Sequence, residues 1–310
     1  MSRNPWLTQI RRLDPERDYE EIFRLHFSHE FPWDSVQALS FALFRTYAVP
    51  SIGELLDKTG EFGDRVQKRY DDTNLLMDQV VESGFTGSGR AAIRRINQMH
   101  GSYDISNEDF VYVLATFVVV PIRWLQKFGW RSLTENEIRS TVLYYREFGR
   151  HMGLKGVPED YAGFAALLDE YERDHFAFSA GGKAVADSTL DLLSTFPPYR
   201  FLPKSVVHRF AYALMDEPLL DTFGYPTPSR LERLGAEGAL KLRGRFVRFL
   251  PPRLRPFRAR DQRGVRSYPN GYRIEELGTF PRGCPVAHTA PKQHEHSHES
   301  LHSPALEDSK

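Results

Sequence analysis

The sequence predicts an all-α protein. Apolar residues recur at three- and four-residue intervals through most of positions 19–228, and no segment sustains two-residue alternation between hairpin turns. Size agrees with one large helical domain, since 310 residues, 41% hydrophobic and 13% aromatic, supply a sizeable core. Lysine plus arginine and aspartate plus glutamate number 41 each, so overall charge does not mark the chain for nucleic acid. A single cysteine, Cys284, excludes an internal disulfide and points to a reducing, cytoplasmic setting. The first residues lack the apolar core of a signal peptide. The longest apolar run, 110–125, is interrupted by Pro121 and Arg123 and falls short of the ~20 residues a spanning helix needs. The expectation is a soluble chain that at most touches a membrane surface.

Four stretches follow from composition: a polar N-terminal arm over 1–18, the helical domain over 19–228, a basic and apolar arm over 229–282, and a His-rich tail over 283–310. The domain opens on a helix carrying Ile22, Phe23 and Phe27, and Pro32 begins the next, with Val36, Leu39, Leu43 and Tyr47 on one stripe ending at Pro50. Positions 51–63 read as a short helix and a glycine-punctuated loop. Val66, Tyr70, Thr73, Met77 and Val80 predict a helix over 64–83, stopped by Gly84. On it Arg69, Asp72, Thr73 and Leu76 share a face, because residues three or four apart are neighbours.

A loop over 85–89 leads to a helix with Ile93, Ile96, His100 and Tyr103 on its apolar side. Ser106 starts a helix over 107–125 that is apolar nearly all round, as a buried central helix is, with a kink expected at Pro121. Thr134 and Glu137 form a capping box for a helix carrying Val142, Tyr145 and Phe148 and ending at Gly153. Another helix carries Phe164, Leu168 and Tyr171, and 181–196 and 203–224 supply two more.

Between Ser229 and Arg266 twelve lysines and arginines face only Glu232, Glu237 and Asp261, with Leu240, Leu242, Phe246, Val247, Phe249 and Leu250 interleaved. Two readings fit. Residues 231–260 lie on an anionic membrane surface and feed an apolar substrate to the core, or they pack leucines on the globule with arginines outward. Positions 266–278 read as an ordered turn or short arm, and the tail has no pattern able to bury a core, so it reads as disordered. His288, His294, His296, His298 and His302 there would bind metal only loosely.

The motifs KRYDDT (68–73), RRINQMHGSY (94–103), ISNEDFVYVLATFVVVPIRWL (105–125) and WRSLTENE (130–137) resemble the MpaB-type oxygenase family, which also contains the latex-clearing rubber oxygenases. HEFPWD (29–34) and LFRTYAVPSIGELL (43–56) are similar to the MpaB branch in particular, and the resemblance covers about 18–225. It implies an all-α fold with a globin-like core and, in the rubber-oxygenase branch, a b-type haem whose iron is held by a proximal histidine. It also implies dioxygen chemistry on isoprenoid double bonds. By position His100 matches the proximal ligand, and Arg69 and Thr73 match the Arg-x-x-x-Thr pair. Two positions depart: Asp72 stands where the rubber oxygenases carry lysine, and Asp104 where they carry arginine.

Spacing alone leaves plainer roles open. His100 fits a core histidine, Arg69 with Asp72 an ordinary ion pair, Thr73 a helix filler and Tyr103 core packing. Asn97 is a candidate partner for His100, and among His26, His29, His151, His175 and His208 the first alternative ligand is His175. A compact two-histidine, one-carboxylate spacing is lacking. The leading expectation is a haem b-dependent oxygenase acting with dioxygen on an apolar, isoprenoid or terpenoid, substrate. His100 would hold the iron, with Arg69, Asp72 and Thr73 at the reacting side and Arg69 also contacting the cofactor. The alternative is a non-catalytic helical binding protein for haem or an apolar ligand.

Overall fold

Helix punctuation written in the sequence sets the element boundaries. In a computed structural model describing residues 4–280, fourteen α-helices and no strand are present among the described residues. They are α1 (Pro5–Ile10), α2 (Tyr19–Leu25), α3 (Pro32–Tyr47), α4 (Pro50–Lys58) and α5 (Glu61–Asp64). Next come α6 (Val66–Ser83), α7 (Gly87–His100), α8 (Asn107–Phe128), α9 (Glu135–Met152) and α10 (Tyr161–His175). The last are α11 (Ala180–Ser194), α12 (Lys204–Leu214), α13 (Glu217–Phe223) and α14 (Arg230–Val247). Prolines open α1, α3 and α4, where the missing N–H has no helical partner to lose. The Thr134–Glu137 capping box opens α9, and the Ser106 hydroxyl accepts from Asp109 N–H at the head of α8.

The apolar helix is central, as its composition predicts. α8 packs against α3, α9, α10 and α14, and it continues through Pro121 to Phe128. α6 and α7 pair with each other, and α4 crosses α11 where both helices carry glycine. A Cβ on Gly53 would stand 2.7 Å from Gly182 Cα and 2.5 Å from Tyr47 O, so backbone meets backbone there.

Several expectations are corrected. Within the stretch read as a polar arm, α1 buries Ile10 beside Ile22 and Leu25, and the Trp6 ring lies tilted 4.2 Å from that of His29. α7 starts at Gly87, inside the stretch read as loop. The 203–224 segment breaks into α12 and α13, because Asp216 caps a new helix with Pro218 in its first turn. His26–Glu30 forms a π-helical turn that no pattern announced.

The arm after α13 opens as a helix. α14 seats Ala236, Leu240 and Gly244, whereas Leu231, Leu234, Leu242 and Phe246 point to solvent, so most of its large apolar side chains do not pack inward. Beyond α14 the chain returns as a strap across α6 and α7. Phe257 N–H donates to Ser28 O (2.8 Å), Ala259 N–H to Asp78 (2.9 Å), and Arg95 Nε donates to Leu277 O (2.7 Å). The His-rich tail and Cys284 lie outside the described residues.

Candidate functional site

The face shared by Arg69, Asp72, Thr73 and Leu76 on α6 turns inward and walls a cavity of about 320 Å³. His100, the last residue of α7, enters the same wall, as do Tyr103 and Asp104 just after it. α8 contributes Phe110, Val113 and Phe117, and the Phe110 ring lies 5.2 Å from that of His100. The lining is otherwise mostly apolar, drawn from α3, α4 and α9. A second cavity, about 380 Å³, adjoins the first: Val36, Ser40, Tyr70, Phe257 and Gln262 line both.

His100 has the properties of a ligand held ready. Its Nδ1 is buried with no hydrogen-bond partner, which a packed core rarely tolerates. Burial, helped by the Arg69 cation, pushes its pKa down to about 4, so the imidazole is neutral at pH 7 and its lone pair is available. Arg69 donates to the Thr73 hydroxyl and lies 5.8 Å over the Phe62 ring, and it forms no ion pair among the described residues. Thr73 in turn donates to Arg69 O (3.1 Å), so its hydroxyl is committed to holding the guanidinium in place.

Asp72 is engaged otherwise. Only 1% exposed, it accepts from Lys68 Nζ (2.6 Å) and from the Tyr268 phenol on the strap. Its pairing is therefore with Lys68 and not with Arg69. The preceding Asp71 accepts from Gln67, from the Arg266 and Ser267 N–H groups and from Ser267 Oγ, fixing the strap again. Asp78, also on the cavity wall, has its pKa raised to about 6 by burial, against the Ala259 N–H bond and the Arg258 cation that lower it. Sequence reading missed Asp71 and Asp78 because their partners lie on the strap, more than 180 residues away.

The other described histidines lie off the wall of this cavity, His26 among them although its Nδ1 is likewise buried without a partner. His175 faces outward, stacked on Tyr171, with its Nδ1 2.9 Å from Tyr171 O. His26 meets the Thr141 hydroxyl, His29 meets Arg253 O, and His151 and His208 approach Glu147 and Asp191. Asn97 donates to His151 O (2.9 Å) and so is not the partner of His100. Among the described residues His100 is the one histidine on the cavity wall, and no group of three histidines, cysteines or carboxylates is placed to hold a bare metal ion. A group bringing most of its own metal donors and asking the protein for one axial imidazole, as haem does, fits this donor set.

Most other motif residues turn out to be structural. Arg131 joins Glu30 (2.8 Å) and Glu137 (2.7 Å), linking the segment before α3 to the start of α9. Asp34 accepts from Trp124 Nε1 (3.3 Å) and from Arg243 (2.8 Å), tying α3 to α8 and α14. Arg45 pairs with Glu172 and with Asp216 (2.7 Å), and Tyr112 donates to Glu172 (3.2 Å).

Residues 35–251 match the family model described as "ER-bound oxygenase mpaB/B'/Rubber oxygenase, catalytic domain". The chain is similar to ER-bound oxygenase mpaB' of Penicillium brevicompactum, 30% identical over 243 residues, covering 72% of this chain and 57% of that protein. ER-bound oxygenase mpaB of the same fungus is 36% identical over 145 residues, 44% of this chain and 37% of that protein. For ER-bound oxygenase mpaB of Penicillium roqueforti (strain FM164) the identity is 32% over 210 residues, 61% and 70% of the two chains. The match thus spans little more than half the length of the first relative and less of the second.

Proposed function

The chain belongs to the family of mpaB-type and rubber oxygenases, and on that premise we propose that it is a haem b-dependent oxygenase using dioxygen on an apolar, isoprenoid or terpenoid, substrate. The reaction we assign is oxidative double-bond cleavage or a related oxidation, on a core of the globin-like type. The observation that carries the reading is His100: a neutral imidazole with a buried, unpartnered Nδ1, on the wall of an apolar cavity that Arg69 also lines. Haem, when bound, supplies the iron chemistry that activates dioxygen.

The chain's own residues do the rest. His100 would hold the iron through its neutral imidazole. Arg69 presents a cation without a carboxylate partner among the described residues, suited to a propionate or to negative charge that develops on oxygen. Thr73 aims that cation, and Asp72 holds the strap over the helix that bears both. Apolar side chains such as Leu43, Val113 and Phe117 admit a hydrocarbon chain and exclude water. We place the protein in the cytoplasm with peripheral contact to an anionic membrane through 231–260, where leucines and arginines stand exposed together.

A second reading, a non-catalytic carrier of haem or of an apolar ligand, draws support from Asp72 and Asp104, carboxylates where the rubber oxygenases have cations. The deciding experiment purifies the full chain with ample haem supply. A Soret band, near-stoichiometric haem by pyridine haemochrome and loss of both in His100→Ala are expected. Full haem retention in that variant would remove the assignment. Dioxygen uptake that depends on an added isoprenoid then separates oxygenase from carrier.

A further inference from the structure

α14 carries two apolar stripes, and only one of them is used inside the protein. At 100° per residue, Ala236, Leu240 and Gly244 fall on one side and are buried against the body. Leu231, Leu234, Leu242 and Phe246 fall within an arc of about 120° on the opposite side. They are 80%, 60%, 66% and 64% exposed. Isolated exposed leucines are ordinary, but four large apolar side chains in helical register, diametrically opposed to the buried line, make a second face that no described residue covers. The exposed Leu250 and Leu254 extend the apolar surface past the helix end.

Lys241, Arg245 and Arg248 run along one flank of this stripe at helical spacing, all exposed. Arg245 and Arg248 form no ion pair among the described residues, and Lys241 meets Glu237 only at 3.6 Å. The nearby carboxylates are spent, Glu232 on Arg209 and Glu237 on Lys127. The face therefore combines apolar side chains of membrane-inserting type with uncompensated positive charge.

We propose that the outward face of α14 docks on an anionic lipid surface. Its leucines and Phe246 sink to the headgroup boundary while Lys241, Arg245 and Arg248 meet lipid phosphates and carboxylates. The orientation has a consequence for the inside. Leu240 on the inner side of α14 and Val207, Phe210 and Leu214 on the adjoining α12 line the second cavity, which shares a wall with the first. Docking brings the apolar interior within one helix thickness of the hydrocarbon. On α12 and the turn before it, Phe201, Leu202 and Val206 are exposed as well, 73%, 51% and 49%.

The test is co-sedimentation of the full chain with phosphatidylcholine vesicles, with and without phosphatidylserine. Binding is expected with phosphatidylserine, weakened by salt, and slight on phosphatidylcholine alone. Arg245→Gln with Arg248→Gln should lower the partition coefficient about 30-fold, roughly fivefold per arginine. Leu242→Ser with Phe246→Ser should lower it too, and because both side chains are exposed the melting temperature should hold. Absent binding, equal binding to neutral and anionic vesicles, or variants that bind like the parent overturn the proposal. So does a concentration-dependent dimer abolished by the serine pair in a chain that ignores vesicles, which gives the face to a second copy. No turnover is read, so failure here leaves the oxygenase reading standing.

Discussion

His26 and Asp78 are buried titratable groups whose effects on stability run in opposite directions with pH. Burial pushes the His26 pKa down to about 4, from the 6.5 of an exposed imidazole, with Glu137 opposing and Arg131 assisting. The unfolded chain accepts a proton near pH 6.5 that the folded chain refuses, so this contribution is full above that pH and is lost as pH falls toward 4. Asp78, raised to about 6, behaves conversely: the folded state takes the proton first and gains stability as pH falls from about 6. The two partly offset. Asp78→Asn should therefore steepen the fall of the urea midpoint between pH 6.5 and 4, while His26→Gln should flatten it. Parallel curves for Asp78→Asn and the parent would refute the burial account.

At the same scale, Thr73 acts through Arg69. Arg69→Gln should keep haem and lower kcat by on the order of 100-fold, as loss of one aimed donor does. Thr73→Val should lower it less, and the double variant should be no worse than Arg69→Gln alone. Additive losses would give Thr73 a separate role. That Arg69 and Thr73 share a face was legible in the sequence from helical spacing, and a motif drew attention to His100, which lines the same cavity. The use made of Asp72 was not legible. Its pairing with Lys68 is local, but the Tyr268 contact spans 196 positions and no periodicity encodes it.

Between elements, the ion pairs explain what several motifs are for. Arg131 is 12% exposed and stands between Glu30 and Glu137, themselves 3% and 0% exposed in their side chains. Arg131→Leu would leave two buried carboxylates without their cation, at a cost of about 3–5 kcal/mol. Calorimetry should show the loss, and a shift of only a degree or two would mean the carboxylates find other partners. The α4–α11 crossing is sensitive for a steric reason, since a Cβ on Gly182 would meet Tyr47 O at 2.4 Å. Gly182→Ala is expected to cost about 1–3 kcal/mol by overpacking. Helix existence and caps were readable because they are local chemistry. The π-helical turn and the outward leucines of α14 depend on what each segment packs against, which one sequence does not state, whereas the break between α12 and α13 had a local signal in Asp216 and Pro218 that the helical periodicity masked.

Across the whole molecule the strap decides how much chain the site needs. The family match ends at 251, yet the strap residues that bind Asp71, Asp72 and Asp78 lie at 259–268. A chain ending at 251 should lose near-ultraviolet circular dichroism and become protease-sensitive around α6, whereas one ending at 280 should behave like the full protein. Equal protection in both would show the strap to be dispensable. During synthesis the same arrangement imposes a wait. α6 is complete at Ser83, but Tyr268 emerges 185 residues later, on the order of 10–40 seconds at ordinary ribosome speeds. For that interval Asp78 lacks its backbone donor, Asp71 has only Gln67 and Asp72 only Lys68, so α6 stays incompletely held until the chain is nearly finished.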